Sequence, residues 1–359
     1  MWKRHPFLLR PALKGLVILS ALIFLFCELR RFWFGFQNQR LPSLYPQTPL
    51  VASVLEVGEE SAQLRLSSSS SALDINNEIA KRIWFKLGPN GLSDDAQKWT
   101  ATCLQQNPGY EARFLTDVDA DAFFDARFAA ARPDIADTYR ALTVPIIKAD
   151  LLRYLLLYAE GGVWFDTDIS CEGIPIDQWG VVSAGSATNT TLEQRRGARA
   201  RASLVVGWEF DVGISYEFQR QFVTWAVVAQ KRETPHLLAV VDDIVSSIHE
   251  TAGNQNLTVA QLRMDNIPDV VDFTGPVRFA KSIMRSLGLD SEEEKAYHQI
   301  LEPKLAGEDV LILPGYALAA SVNEYEPKDS ASVGPALVVH HYAGSWKNDF
   351  GGEKKDESN

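Results

Sequence analysis

Residues 148–172, KADLLRYLLLYAEGGVWFDTDISCE, carry the pattern that decides the fold. The Leu- and Tyr-rich run up to Glu160 predicts a helix. The pair Gly161-Gly162 predicts its end, because glycine alone enters the left-handed region without strain. The next seven residues, VWFDTDI, have the β-branched and aromatic composition of a buried strand. The stretch therefore predicts a helix, a tight turn and a buried strand in succession.

Two carboxylates, Asp166 and Asp168, stand near the end of this strand. Side chains alternate along a strand, so both carboxylates are expected on the same side. Burying them is costly unless a cation meets them, and hard oxygen ligands suit Mg²⁺ or Mn²⁺. The pair predicts a divalent-metal site, and the alternative is a strand that ends in an ordinary Asp-rich turn.

The preceding helix carries a second charged pair, Asp150 and Arg153. Residues three apart share one face of a helix, and this face belongs to an otherwise apolar element. The pair is therefore expected to be structured, either as part of a ligand site or as an ordinary helix ion pair.

The run 148–168 resembles the D-x-D sugar-binding region of glycosyltransferase family 32, and within it that of the fungal initiation-specific alpha-1,6-mannosyltransferases. Further segments fit the family in the same order: RIWFKLG at 82–88, NPGYEARFLTD at 107–117, VVGWEFD at 205–211, TGP at 274–276 and HHYAGSW at 340–346. The D-x-D triplet alone is a weak signal, but the ordered set is specific. The resemblance covers residues 80–347.

The resemblance implies a GT-A-like, Rossmann-type α/β sandwich with a mainly parallel central sheet. It implies GDP-mannose as donor, Mn²⁺ (or Mg²⁺) as cofactor, and transfer to the 6-hydroxyl of a core mannose in an N-glycan acceptor. Donor and product are then both alpha, so the reaction retains the anomeric configuration. A complex with other Golgi mannosyltransferases is a further expectation.

Site residues follow from the same resemblance. The metal ligands are expected to be Asp168, Asp166 and His341, with His341 favoured over His340. The donor-binding residues are expected to be Ile83, Trp84, Asp150, Arg153, Asp166, Ser345 and Trp346. The catalytic carboxylates are expected to be Asp166, Asp168, Glu209 and Asp211. Two N-glycosylation acceptor patterns begin at Asn189 and Asn256.

Composition is that of a globular protein, with 46% hydrophobic and 23% charged residues among 359. The net charge of −11 argues against a nucleic-acid partner. Three cysteines are too few for a disulfide scaffold, although Cys103 and Cys171 could pair in an oxidising compartment.

The N-terminal region predicts membrane attachment. Residues 1–14 are basic and predict a cytoplasmic tail, and 15–36 predict a transmembrane signal anchor. Its uncharged part, 15–27, spans only about 20 Å, so flanking arginines and aromatic residues must sit at the interface. Residues 37–77 predict a flexible luminal stem. These features predict a single-pass type II Golgi membrane protein with a luminal catalytic domain; the alternative is a cleaved signal peptide.

The catalytic domain is expected over 78–350, followed by a disordered tail at 351–359. Alternating strand and helix patterns predict an α/β fold with a mainly parallel sheet, whose ligands bind at the carboxyl ends of strands. Residues 204–211 read as one strand and 218–250 as helix broken by Pro235. Thr274 is a candidate helix cap.

Three alternatives remain from the sequence. One is a family member with another nucleotide sugar or acceptor, for example inositol phosphoceramide. A second is a non-catalytic glycan-binding protein that kept the fold. A third is a phosphotransferase, which would need a glycine-rich phosphate-binding loop after a strand. Gly161-Gly162 instead precede the predicted strand.

Overall fold

The computed structural model describes residues 81–182, 190–213, 219–329, 332–344 and 347. They lie within the C-terminal unit of the chain, Leu73–Asn359. The expected tail, anchor and stem at 1–77 lie outside the described residues, as do Asn189, Ser345, Trp346 and 351–359. In the described part of the chain, every helix is too short or too polar to cross a membrane.

The described residues form strands β1 (Arg82–Lys86), β2 (Glu111–Leu115), β3 (Gly162–Phe165), β4 (Ile169–Cys171), β5 (Leu204–Gly207), β6 (Ala226–Ala229), β7 (Lys304–Ala306), β8 (Val310–Leu313) and β9 (Val338–His340). Their α-helices are α1 (Asp94–Gln106), α2 (Asp117–Arg127), α3 (Pro133–Ala141), α4 (Pro145–Glu160), α5 (Leu192–Arg201), α6 (Pro235–Asn254), α7 (Val270–Phe273), α8 (Pro276–Ser286), α9 (Ser291–Glu294) and α10 (Gly315–Ala319). Short 3-10 turns lie at Ile176–Gln178, Val259–Gln261, Met264–Asn266, Lys295–Tyr297, Ala320–Val322 and Pro327–Asp329.

Seven of these strands form the central sheet, in the order β2-β1-β3-β6-β5-β8-β7. Strands β2, β1, β3, β5 and β8 run in one direction, whereas β6 and β7 are antiparallel to their neighbours. The expected α/β fold with a mainly parallel sheet is confirmed. Strands β4 and β9 form a separate antiparallel ribbon.

Apolar side chains cover both faces of the sheet. Trp84 and Trp164 face one core, which contains much of α4, α6 and α8. Their strand neighbours Phe85 and Phe165 face the other core, which lies against α1, α10 and the ribbon. The alternation follows from the period of two in a strand, and the two covered faces explain why these strands are apolar throughout.

Helix α4 carries two candidate site residues, Asp150 and Arg153, and leads into β3 of the sheet. Pro145 occupies its first turn, where the missing N–H costs nothing, and Gly161 ends it with φ of 65°. Ten of its sixteen residues are buried, including Asp150 and Arg153. The tight turn then leads directly into β3, as the sequence predicted.

The D-x-D segment differs from the expected continuous strand. Strand β3 ends at Phe165, and residues 166–168 form a turn before β4 begins at Ile169. Asp166 and Asp168 therefore follow the carboxyl end of β3, as expected, but they lie in the turn that joins the central sheet to the β4–β9 ribbon.

The helix expected over 218–250 is wrong in its first half. The apolar residues Ala226–Ala229 form β6, in the middle of the sheet between β3 and β5. The helix begins only at Pro235, where Thr234 caps it by accepting from the Leu237 amide. A short apolar run has no periodicity that separates buried strand from helix, so its sheet partners decide the outcome.

A disulfide joins Cys103 of α1 to Cys171 of β4, with a Cα–Cα distance of 4.8 Å. Cys103 is fully buried and Cys171 is 6% exposed. The pairing that the sequence left open is therefore present, and it ties a helix on the second core to the ribbon.

Replacing both cysteines with serine is expected to lower the free energy of unfolding by about 4 kcal/mol, because the bond closes a long loop. Urea unfolding of the oxidised wild type and of the variant measures the difference. Reductant should lower the midpoint of the wild type but not that of the variant. An unchanged midpoint in the variant would contradict the prediction.

Candidate active site

The Asp166 carboxylate is held in one orientation at the end of β3. Arg153 Nη2 donates to Asp166 Oδ1 at 3.0 Å, and Trp164 Nε1 donates to the same oxygen at 2.7 Å. The Asp166 amide donates to the Trp225 carbonyl at 3.0 Å. The side chain is nevertheless 31% exposed. Asp166 is therefore oriented from behind and open to a ligand in front.

Behind Arg153 lies a buried network that connects α4 to the start of α8. Arg153 Nη1 donates to Asp150 Oδ1 at 2.6 Å, and Thr274 Oγ1 donates to Asp150 Oδ2 at 2.7 Å. These three residues are at most 4% exposed. The predicted pairing of Asp150 and Arg153 on one helix face is confirmed, but the pair is buried rather than a surface ion pair.

Thr274 does not cap the start of α8, as the sequence suggested; it is the C-cap residue of the short helix α7. Gly275 occupies the N-cap position of α8 without a side-chain hydrogen bond, and the Thr274 hydroxyl donates to Asp150. Tyr154 Oη donates to the Thr274 carbonyl at 3.1 Å, so the hydroxyl and the carbonyl of Thr274 are both bonded to residues of α4.

Burial and neighbouring charges set the ionisation of the network. Burial raises the pKa of Asp150, and Arg153 and Thr274 oppose that shift. Burial by itself would lower the pKa of Arg153, but Asp166 and Asp150 raise it above its usual value, so the guanidinium stays charged. Among the described residues, Arg153 Nε has no hydrogen-bond partner although it is buried. One N–H of the buried guanidinium therefore has no protein acceptor in the described structure.

Asp168 is wrapped by the segment that follows β9. His340 Nε2 lies 3.2 Å from Asp168 Oδ2, and the Ala343 amide donates to the same oxygen at 2.9 Å. The His341 amide donates to the Asp168 carbonyl at 2.9 Å. Burial raises the pKa of Asp168, but His340 and the Ala343 amide outweigh it and the pKa is lowered overall. Asp168 is therefore an anion with a fixed position.

The imidazole against Asp168 belongs to His340, whereas the sequence favoured His341. The His340 ring stacks on Trp225 at a centroid distance of 4.1 Å and contacts the tilted ring of Tyr342 at 4.0 Å. The His341 ring instead stacks on Trp99 at 4.1 Å, and its Nε2 lies 2.9 Å from Ser170 Oγ. Partial burial lowers the pKa of His341. The structure thus brings His340 to the D-x-D turn and His341 to α1.

The residues around Asp168 fit a divalent cation of the kind expected for a D-x-D family. The Asp168 carboxylate supplies a hard oxygen donor of the kind that suits Mg²⁺ or Mn²⁺, with the His340 imidazole beside it. Within the described ranges, no three His, Cys, Asp or Glu side chains cluster closely enough to hold an ion by themselves. Mg²⁺ and Mn²⁺ sites commonly use one or two carboxylates and complete their shell with substrate phosphates and water.

Glu209 and Asp211 follow β5 but are largely enclosed. Glu209 is 5% exposed and accepts from Gln221 Nε2, and burial raises its pKa to about 7. Asp211 is fully buried; it accepts from Arg220 Nε at 3.1 Å and from the Gln299 amide at 2.7 Å. Glu209 interacts electrostatically with His340 and so lies towards the D-x-D end. The catalytic role of both carboxylates stays a prediction.

Ile83 and Trp84 lie in the core of the sheet. Ile83 is fully buried and Trp84 is 6% exposed, with its Nε1 donating to the Gly161 carbonyl at 2.8 Å. The structure therefore places them beside β3 rather than at an open wall, and their donor-binding role stays a prediction.

Three further contributors were not identified from the sequence: Trp164, whose indole orients Asp166, Trp225, which stacks on His340, and the Ala343 amide. Trp164 and Asp166 are two residues apart, so their side chains are expected on the same side of an extended chain, and this was a usable signal for Trp164. Trp225 and Ala343 reach the site only because the segment before β6 and the segment after β9 meet, which no local sequence pattern predicts.

Glu209→Gln is expected to stabilise the protein increasingly as pH rises. The folded-state pKa of about 7 exceeds the ordinary value of 4.5, so the stabilisation from the protonated carboxyl is complete below 4.5 and is lost as pH rises through about 7. The full effect is about 3 kcal/mol. Urea unfolding at about pH 5 and about pH 8 measures it, because the neutral amide lacks this titration. A stability difference that is the same at both pH values would contradict the prediction.

Comparison with known proteins places this geometry in a family. The family described as a glycosyltransferase sugar-binding region containing a DXD motif matches residues 93–184, which include Asp150, Arg153, Asp166 and Asp168. The initiation-specific alpha-1,6-mannosyltransferase of Candida albicans is 30% identical over 318 residues, which cover 81% of this chain and 78% of that protein.

Two other relatives match less completely. The protein of the same name from Schizosaccharomyces pombe is 28% identical over 282 residues, covering 76% of this chain and 65% of that protein. The mannosyl phosphorylinositol ceramide synthase CSH1 of Saccharomyces cerevisiae is 31% identical over 94 residues, covering 26% of this chain and 24% of that protein. With the D-x-D turn, the buried Asp–Arg pair and similarity over most of its length, the chain belongs to the D-x-D-containing glycosyltransferases of family 32.

Proposed function

We propose that this protein is a metal-dependent, retaining alpha-1,6-mannosyltransferase that moves mannose from GDP-mannose to the core of N-linked glycans. The proposal is carried by one observation: Asp166 and Asp168 lie in one turn at the carboxyl edge of the sheet, each fixed by its own set of partners. Similarity to alpha-1,6-mannosyltransferases over most of the chain supports the sugar and the linkage.

The two carboxylates have different tasks because their partners differ. Asp168, held by His340 and the Ala343 amide, would bind a divalent cation together with the diphosphate of the donor. When bound, the cation supplies positive charge that stabilises the departing nucleoside diphosphate. Asp166, fixed by Arg153 and Trp164, would accept hydrogen bonds from sugar or ribose hydroxyls.

Recognition of the sugar would rest on Asp166, which the buried Arg153 guanidinium holds in place. The Asp166 side chain is 31% exposed, whereas Arg153 is only 4% exposed and donates to Asp166 from the protein interior. Hydrogen bonds to charged, desolvated groups give the strongest discrimination between similar hydroxylated ligands. Both carboxylate oxygens of Asp150 accept hydrogen bonds, one from Arg153 and one from Thr274. Asp150 therefore orients the guanidinium and would not contact the sugar itself.

Retention of configuration would follow a same-face course. In this mechanism the acceptor hydroxyl attacks from the side on which the diphosphate leaves, and a phosphate oxygen of the leaving group accepts the hydroxyl proton. Glu209 and Asp211 are enclosed and hydrogen-bonded, so neither is presented as a covalent nucleophile. Isolation of a glycosyl adduct on either side chain would overturn this course.

The setting proposed for the enzyme is the lumen of the Golgi, with one N-terminal anchor helix and type II orientation. The Cys103–Cys171 disulfide supports an oxidising compartment. Asn256 supports it as well, because this acceptor asparagine lies in an exposed turn directly after α6, where a glycan can be attached. An association with other Golgi mannosyltransferases belongs to the same proposal.

One rival acceptor has an observation behind it, the partial match to a mannosyl phosphorylinositol ceramide synthase. That match covers only 26% of the chain, whereas the match to the alpha-1,6-mannosyltransferase of Candida albicans covers 81%, so we favour an N-glycan acceptor. Offering inositol phosphoceramide and a mannose oligosaccharide side by side separates the two.

The purified protein, given several nucleotide sugars with Mn²⁺, is expected to hydrolyse or transfer from GDP-mannose alone. Asp168→Ala should lower kcat/KM at least about 100-fold, since it removes the fixed carboxylate beside the diphosphate. Asp137→Ala is the control, because the Asp137 side chain is 75% exposed and, among the described residues, pairs with Arg140 alone. Turnover of a UDP-sugar would overturn the mannosyl assignment, and absence of any turnover or Mn²⁺ binding would favour a glycan-binding protein.

Arg153→Lys is expected to reduce kcat/KM for the donor about 100-fold, because a single ammonium cannot bridge Asp150 and Asp166 as the planar guanidinium does. Arg140→Lys is a matched control, since Arg140 also bridges two aspartates, Asp125 and Asp137, but at 42% exposure on α3. Steady-state kinetics with varied donor give the comparison. An Arg153→Lys enzyme as efficient as the control would remove Arg153 from donor recognition.

A further inference from the structure

Cys171, in the short strand that follows the D-x-D turn, is attached to α1 through every polar group it has. Its sulfur is bonded to Cys103. Its amide donates to Thr102 Oγ1 at 2.8 Å, and its carbonyl accepts from Gln106 Nε2 at 2.7 Å. Three residues of one helical stretch therefore fix a single residue of β4.

Strand β4 has little else to define its position. It is three residues long and pairs with only one strand in the described structure, β9, which is equally short. A two-stranded ribbon of this length is marginal without further packing. The attachment of Cys171 to α1 therefore fixes the position of one end of the ribbon.

The other end of the ribbon carries the contacts of Asp168. Ile169 of β4 pairs with His340 of β9, and the Asp168 carbonyl and carboxylate receive the amides of His341 and Ala343. A shift of β4 relative to β9 would therefore move the carboxylate away from His340 and from the Ala343 amide together.

A second contact between α1 and this segment acts in the same direction. The Trp99 ring stacks on His341 with an interplanar angle of 6°, and the other side of the imidazole reaches Ser170 of β4. Trp99 and Cys103 lie four residues apart on α1, so they share one face of that helix. One helix face thus contacts β4 and the residue that directly follows β9.

The geometry points to a positioning device: the Cys103–Cys171 disulfide, together with Thr102, Gln106 and Trp99, holds the β4–β9 ribbon against α1 and thereby fixes Asp168 for its role at the diphosphate. The significance of Asp168 in this statement rests on the proposed function. The positional claim itself concerns only the ribbon, and it is measurable without any substrate.

Hydrogen–deuterium exchange of the amides in residues 337–344 provides the direct test in the full-length protein. In Thr102→Val, which keeps the disulfide but removes the acceptor of the Cys171 amide, these amides are expected to exchange about tenfold faster. The double variant Cys103→Ser/Cys171→Ser should show a larger increase. Amides of β5 and β8 in Thr102→Val should exchange as in the wild type.

Thr100→Val is the matched control on the same helix. Thr100 is 2% exposed, and its hydroxyl donates only to carbonyls of its own helix, Ala96 at 2.8 Å and Gln97 at 3.3 Å. The two threonine variants thus make the same chemical change, one facing Cys171 and one facing α1 itself.

Metal dependence of donor turnover gives a second readout, one that simple loss of stability would not move. At a temperature where all variants are folded, the Mn²⁺ concentration for half-maximal activity should rise about tenfold in Thr102→Val but not in Thr100→Val, and excess Mn²⁺ should restore kcat.

Several results would overturn the inference. These are wild-type exchange at 337–344 in Thr102→Val, an equal acceleration in β5 and β8, or an unchanged Mn²⁺ requirement in an active Thr102→Val enzyme. If the double cysteine variant does not fold, Thr102→Val decides alone. If the wild type turns over no donor, the proposed function fails, while the exchange data still judge the positioning of the ribbon.

Discussion

The site depends on one buried cation, the Arg153 guanidinium. It is 4% exposed and lies between a buried carboxylate, Asp150, and a half-open one, Asp166. A charge this deep is tolerated only with charged partners at hydrogen-bonding distance, because desolvation would otherwise exceed any gain. The requirement ties α4 to the end of β3 and to the loop before α8. The only member of the network with substantial exposure is Asp166, which is where a donor would be met.

The D-x-D turn joins the central sheet to the β4–β9 ribbon. Asp166 directly follows β3 and is held by Arg153 and Trp164. Asp168 directly precedes β4, and its partners come from a segment some 170 residues later in the chain. A diphosphate and cation bound at Asp168 and a sugar bound at Asp166 would bridge the sheet and the ribbon. The covalent link from α1 to Cys171 explains how so short a ribbon is held still.

Local sequence patterns were sufficient to predict most helices and strands, but not the elements whose conformation depends on distant sheet partners. Helix α1, for example, begins at Asp94, where the Ser93 side chain caps it and the acidic first turn suits the helix dipole. Strand β6 was taken for helix, since four apolar residues carry no period. The sequence did not indicate the strand register that brings His340 to Asp168, and a metal-binding role for His341 stays a prediction. In the β4–β9 pairing Ile169 faces His340, so the imidazole of His340 reaches the carboxylate while His341 turns towards Trp99.

The sequence by itself determined the family, the α/β order, the turn at Gly161-Gly162 and the charged residues of the site, because these depend on spacings of a few residues and on backbone preferences. Only the tertiary structure decided which charged side chains pair with each other and which stay accessible to a ligand. It showed Asp150 and Asp211 enclosed, Asp166 open, Thr274 serving a carboxylate rather than a helix end, and His340 rather than His341 against Asp168. The reason is that packing fixes burial and brings together partners that are 68 to 175 residues apart in the chain. The local sequence around a residue carries no information on such distant contacts.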